Sequence, residues 1–380
     1  MSQALVQDRR PTGQSSAAPL LLHVFPSFAV GGAQVRFAAL ANRFGPRWQH
    51  AVIALDGDND CALRIGPEVP LSLAPVPPRG GGPQRLLGIA AMLRRLRPAL
   101  LITSNWGSIE WAIANLASPR LPHLHTEDGF GKEESAGQLG RRILARRLSL
   151  RRSTVVVPSV TLLCAAQAWR LPAARVHHIP NGLDLRHFTP TGPKANLAVP
   201  GEGPLIGIVA ALRPEKHLAR LLRAVALLRR DGVAFRLAIL GEGPERAMLE
   251  ALAEKLGVAG QVLFAGHEPD PAAAYRAFDV FCLCSDTEQM PFSVLEAMAS
   301  GLPVAATDVG DIRTMLAPEN HPHIARPEDA ALASALRGLI VDPLLRRRLG
   351  AANRARAEQV YDQEMMFQSH AALIDGLVAR

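Results

Sequence analysis

At 380 residues, 48% hydrophobic and 20% charged, the chain is too long for one compact core and too apolar for a disordered protein. It has no run of about 20 apolar residues, so no transmembrane helix is expected. Its four cysteines (Cys61, Cys164, Cys282, Cys284) lack metal-ligand spacing and suit a reducing, cytoplasmic compartment.

The net charge of +8 is uneven: residues 1–190 carry 22 Lys and Arg against 11 Asp and Glu, and residues 191–380 carry 20 against 23. A basic first half implies an anionic partner such as a phospholipid surface, a lipid-linked phosphate or a nucleic acid. Only four of the 42 basic residues are lysines, so an arginine-rich composition explains the excess equally well. A nucleic-acid partner is disfavoured, because 5% aromatic residues leave few platforms on which bases could stack.

Residues 1–18 read as a polar, disordered tail. The apolar run from Ala17 is interrupted by His23 and Pro26, unlike a secretory signal. Short β-rich runs at Leu21–Phe25, Ala51–Leu55, Leu100–Thr103 and Thr154–Val157 alternate with segments of helical spacing, which predicts parallel sheets covered by helices on both faces. Gly31-Gly32-Ala33-Gln34 follows the first strand and opens a helix, where glycine lets the backbone approach a phosphate. His123 and His125 alternate along Leu121–Thr126 and share a face; His125 stands nearer the carboxyl end, where ligands of such folds gather. Arg141, Arg142, Arg146, Arg147, Arg151 and Arg152 spread around the whole of one helix, which reads as solvated and partly packed, not as a membrane-surface face. From Ile179 to Pro204 the pattern breaks into the Asn-Gly, Pro and Gly-Pro turns of a linker, with a hinge expected near 184–203.

The alternation then resumes. Leu205–Ala210, Phe235–Leu240, Val262–Ala265, Val280–Cys284 and Pro303–Ala306 read as strands; Glu215–Arg230 and Pro244–Leu256 read as helices. Pro291 suits the first turn of a further helix. The amides of Phe292, Ser293 and Val294 would then lack intrahelical acceptors, an arrangement that binds a diphosphate. Glu296, one turn further in among apolar neighbours, needs strong donors such as a ribose diol. Arg213 and Lys216 flank the start of another helix, where the dipole already favours anions, so a bound anion would explain two cations there. Leu240-Gly241-Glu242-Gly243-Pro244 is a weaker glycine turn that lacks the third glycine of a dinucleotide fingerprint.

Taken together, these motifs resemble the retaining glycosyltransferase family 4. The resemblance runs from Gly31-Gly32 to about Leu316 and is densest in Ile179–Asp184, Arg213 with Lys216, the 240–244 turn, Glu288 through Glu296, and Gly301–Gly310. It implies the GT-B architecture, two doubly wound Rossmann-like α/β domains facing across a cleft. An acceptor-binding domain would span 19–190, a linker 191–203, a nucleotide-sugar domain 204–360, and a final helix 361–380 would cross back. It further implies that Arg213, Lys216 and, from the other domain, Gly32 bind the donor diphosphate, that Glu296 grips the ribose, and that Glu288 and His125 serve the donor sugar. Gln34 and Gln289 depart from the residues common in relatives, glutamate and glycine.

Neither cofactor nor metal is expected. The implied reaction moves a hexose from UDP or GDP to a glycan or lipid-linked acceptor in cell-surface polysaccharide or glycolipid synthesis, with peripheral contact at the inner face of an anionic membrane. A sugar-nucleotide epimerase and a non-catalytic sugar-nucleotide-binding protein are the alternatives.

Overall fold

Residues 18–77, 82–130, 134 and 137–379 are described by the computed structural model; the expected tail, apart from Ala18, lies outside them. The chain forms two compact units. The first runs to Pro180 and takes up the residues from Met366 onward; the second is Asn181–Met365.

Seven parallel strands make the first sheet: β1 Leu20–Phe25, β2 Gln49–Ala54, β3 Leu71–Leu73, β4 Leu100–Ser104, β5 His123–Thr126, β6 Thr154–Val157 and β7 Val176–His178, in the order β3-β2-β1-β4-β5-β6-β7. Both faces are covered, so the longer strands are largely apolar, while β5 carries His123, His125 and Thr126 in buried positions. Alternation along β1 sends Leu21 to a core shared with Trp48, Leu100 and Leu124, and Leu22 to one shared with Ile53, Leu93 and Trp111. Met366, Phe367, Ile374 and Leu377 of the last helix, Gln363–Val378, complete the first of these cores. The edge strands β3 and β7 have three residues each, too few to register as a period, and were not anticipated.

The second sheet has six strands: β8 Leu205–Val209, β9 Arg236–Leu240, β10 Val262–Gly266, β11 Val280–Leu283, β12 Val304–Thr307 and β13 Ile324–Ala325, in the order β10-β9-β8-β11-β12-β13. In each sheet the first strand in sequence has neighbours on both sides, so the winding reverses beside it: between β1 and β4, and between β8 and β11. Ligands of such sheets bind at the carboxyl ends of the two strands flanking that reversal.

The stretch expected as a linker packs as part of the second unit. Leu185, Phe188 and Val199 are buried in its core, and the Ala195 amide donates to the Ala273 carbonyl at 2.8 Å. The boundary falls at Pro180, ten residues before the expected end of the first domain, because Leu183 pairs instead with the segment at Asp362. Its amide donates to the Tyr361 carbonyl at 2.8 Å. No helix of the described residues is long and apolar enough to cross a membrane.

Candidate functional site

In the second unit, the loops leaving β8 and β11 meet at the switch point. The Asp286 amide donates to the Glu215 carbonyl at 2.9 Å, and the Cys284 thiol donates to the Lys216 carbonyl at 3.2 Å. The loop after β8 is held by the glycine turn at 241–243. A Cβ on Gly241 would lie 1.9 Å from the Ala210 oxygen, and one on Gly243 would lie 2.4 Å from the Leu212 oxygen. These glycines thus admit protein backbone and brace the loop that carries Arg213.

Glu215–Arg230 is not one helix. Pro214–Lys216 forms a single 3-10 turn, His217 adopts a left-handed backbone with φ 47°, and the α-helix starts at Leu218. Lys216 therefore lies before the helix, half-buried, and its Nζ donates to Glu288 Oε1 at 2.6 Å. Ser285 Oγ donates to the same oxygen at 2.7 Å. Gly310 closes the loop behind Glu288. Its φ is 53°, and a Cβ there would meet the Glu288 carbonyl oxygen at 2.3 Å. Arg213 is exposed and, among the described residues, its guanidinium has no partner.

Two residues that sequence reasoning missed hold this loop pair together. Arg220, 5% exposed, donates to the Cys284 carbonyl and to Asp286 Oδ1, both at 2.6 Å. His217 Nδ1 lies 2.8 Å from Asp286 Oδ2. Burial alone would raise the Asp286 carboxyl, but the Arg220 and His217 hydrogen bonds hold it below its ordinary range. The only signal in the sequence was an arginine among the buried positions of an amphipathic helix.

Pro291 caps the helix Phe292–Ala299 instead of entering its first turn; its backbone is extended (ψ 127°) and it offers no capping side chain. The amides of Phe292 and Ser293 have no acceptor among the described residues. The Val294 amide, expected free as well, donates to the Pro291 carbonyl at 3.2 Å, because the first turn is tight enough for a three-residue bond. Glu296, one turn on, accepts from the Tyr275 hydroxyl at 2.7 Å through Oε2. Burial pushes its carboxyl up to about 7; the Tyr275 bond pulls down and the charge of Asp270 pushes further up. The hydroxyl of Tyr275, fully buried, lies 3.1 Å from the Ser293 carbonyl as well and so links the ribose candidate to the open helix start.

Gly32 and His125 belong to the first unit. Gly32 opens the helix Gly32–Phe44, capped by Gly31 without a side-chain bond. His125 is fully enclosed. Its Nδ1 lies 2.7 Å from Thr103 Oγ1, which lies 2.8 Å from His123 Nε2; His123 Nδ1 in turn lies 2.7 Å from Ser153 Oγ. His125 Nε2 faces Glu127 Oε2 at 3.6 Å and, among the described residues, makes no hydrogen bond. Burial pushes His123 down to about 3.

The arginine-rich helix, Gly140–Ser149, is solvated and partly packed as expected, with Arg141 and Arg147 exposed; Arg151 and Arg152 follow its end, and one arginine is wholly inside. Arg146 is fully buried, donates to Glu127 and Glu134 at 3.1 Å each, and lies within 5.2 Å of the rings of Trp106, Phe130 and Trp169. An arginine among its own kind gave no hint of a cage built from residues 12 and 19 positions away. Among the described residues, no group of three or more His, Cys, Asp or Glu side chains is arranged to hold a metal ion.

Residues 30–187 match the model of Glycosyltransferase Family 4, and residues 193–356 match that of Glycosyl transferases group 1. A GDP-mannose-dependent alpha-mannosyltransferase of Mycolicibacterium smegmatis is 33% identical over 265 residues, covering 68% of this chain and 66% of the relative. A D-inositol 3-phosphate glycosyltransferase of Nocardia farcinica is 33% identical over 218 residues, covering 53% and 48%. The chain thus spans between about half and two thirds of the length of these curated relatives. The Anabaena protein HepE, solved in complex with UDP, shares the fold at a TM-score of 0.78 and 19% identity, covering 94% of this chain and 99% of HepE. With both family models matched in the expected order, Lys216 on the loop after β8 joined to Glu288 on the loop after β11, and Glu296 on the helix that follows, the chain belongs to the glycosyl transferases group 1, glycosyltransferase family 4.

Proposed function

We propose that the chain is a retaining hexosyltransferase that uses a nucleotide-diphosphate sugar, with its donor site in the second unit. One observation carries the reading: at the switch point Lys216 and Glu288 are joined at 2.6 Å, next to a helix whose first amides are open. A lysine has three donors, so Lys216 can keep Glu288 and still take a phosphate oxygen. Arg213 and the Phe292 and Ser293 amides would supply the remaining donors for the diphosphate.

Glu296 would accept from both ribose hydroxyls. Glu288 would accept from the donor sugar's hydroxyls and face the positive charge that grows at the anomeric carbon. In the transfer the anomeric carbon–oxygen bond to the diphosphate breaks and the acceptor oxygen bonds from the same face. The acceptor's proton leaves on the departing diphosphate. Cations fixed where that negative charge develops do the work a metal does elsewhere, so no metal is required. His125, fully enclosed within the first unit, presents no exposed atom to a sugar, so no direct contact is proposed for it.

GDP-mannose, used by the mycolicibacterial relative, and a UDP-sugar, suggested by the HepE complex, are the leading donors. The acceptor is a glycan or a lipid-linked saccharide of cell-surface synthesis, reached by peripheral contact with an anionic membrane. Thermal-shift screening of UDP- and GDP-sugars, followed by transfer assays on lipid-linked acceptors and NMR of the product's anomeric proton, tests this. A product of inverted configuration defeats the retaining mechanism, and isomerisation of the donor without acceptor favours the epimerase.

A further inference from the structure

Against the first sheet lies a cavity of about 350 Å³. His123 opens β5, Ser153 precedes β6 and Arg175 precedes β7, and all three line it, so the cavity sits at the amino edge of the sheet. Arg120, Arg152 and Arg175 line it, and among the described residues no carboxylate does. Several arginines elsewhere in this unit are neutralised: Arg36 pairs with Asp128, Arg85 with Glu110, and Arg142 and Arg146 with Glu134. Arg175 is tied down by donating to the Arg152 carbonyl at 2.8 Å, whereas Arg120 and Arg152 have no side-chain partner among the described residues. Arg120 is also held at φ 65°, a conformation that non-glycine residues rarely adopt and that sets the direction in which its side chain leaves the loop.

Three like charges drawn around one concavity repel unless an anion is taken up between them. Guanidinium forks match phosphate oxygens in pairs, and the apolar wall at Leu116, Leu121 and Leu377 suits a small organic group behind the charge. We propose that this pocket binds a phosphate ester, with Arg120, Arg152 and Arg175 taking the phosphate. The site is separate from the donor site of the second unit and does not depend on the donor reading.

The test is calorimetric titration of sn-glycerol 3-phosphate, and separately flotation with phosphatidylglycerol or phosphatidylcholine vesicles. Both use protein carrying Arg213→Ala and Lys216→Ala, so that the donor phosphate site is silent. Saturable binding of the soluble ester, weakened at least tenfold by Arg120→Ala with Arg152→Ala, is expected and assigns a soluble ligand. Binding only to phosphatidylglycerol vesicles, lost in the same double variant, assigns a lipid headgroup carrying the same chemistry. Both residues are exposed, and an unchanged melting temperature shows that the variant is folded; if it is not, Arg120→Lys with Arg152→Lys replaces it, with binding retained in weaker form expected. Absence of binding in both arms, or binding indifferent to the arginines, overturns the proposal.

Discussion

Glu296 gives the sharpest pH test of the donor site. Its carboxyl sits at about 7 in the free protein because it is buried, and a ribose diol needs the ionised form to accept both hydroxyl protons. The sign follows from the raised value: below about pH 7 the protonated form dominates and must give up its proton when donor binds, so affinity is lost as pH falls. With that midpoint, about one carboxyl in eleven is ionised at pH 6 and about ten in eleven at pH 8, which makes donor binding about tenfold tighter at pH 8, or about 1.4 kcal/mol. Calorimetry with an intact sugar nucleotide is the assay, since its diphosphate does not titrate in this range. Glu296→Gln should abolish the slope and weaken binding at pH 8 by about 2–3 kcal/mol, the worth of hydrogen bonds to a charged group. A flat wild-type profile, or a slope that survives in the Gln variant, refutes the ribose assignment.

Tyr275→Phe removes the bond that pulls the Glu296 carboxyl down, so the midpoint of the same profile should move alkaline by about one pH unit. Lys216→Ala should cut turnover by about a hundredfold or more while the melting temperature moves little; normal turnover would make the lysine structural. Gly310→Ala forces a side chain onto the Glu288 carbonyl at a left-handed φ, and should cost about 1–3 kcal/mol in denaturant unfolding together with donor affinity. Arg146→Ala strands two buried carboxylates and should cost about 3–5 kcal/mol at pH 7. Burial alone would raise Glu134, but Arg146 and Arg142 hold it below its ordinary range, so the wild type loses that contribution in acid. The deficit of the variant should therefore narrow as the pH drops below about 5, as measured by chemical denaturation.

What the sequence disclosed was whatever repeats locally. The alternation of strand and helix located all the longer strands, and the Pro291 signal located the helix start to within one residue. The polar residues of the candidate site were legible as types in loops, yet their pairings were not. Lys216 and Glu288 are 72 positions apart and meet only because β8 and β11 are neighbours in the sheet. Tyr275 reaches Glu296 from 21 positions away, with nothing in the local pattern to single it out from other core aromatics. The glycines at 241 and 243 were ambiguous for a related reason: a need for closeness is visible in a sequence, but whether a phosphate or another strand's backbone comes close is a property of the fold.

The row Ser153–His123–Thr103–His125 has a direction. With both rings neutral, the single Thr103 proton can serve only one of the two nitrogens that claim it. If it went to His123, His125 would turn a bare lone pair on Nε2 towards the Glu127 carboxylate 3.6 Å away. Repulsion selects the other ordering, in which Ser153 donates to His123, His123 to Thr103, and Thr103 to His125 Nδ1. His125 is left with its hydrogen on Nε2. A ring oriented in this way holds its Nε2 hydrogen towards Glu127 and keeps no lone pair with which to withdraw a proton, so the sheet itself, through a threonine that nothing in the sequence marked out, casts this histidine as a donor and not a base.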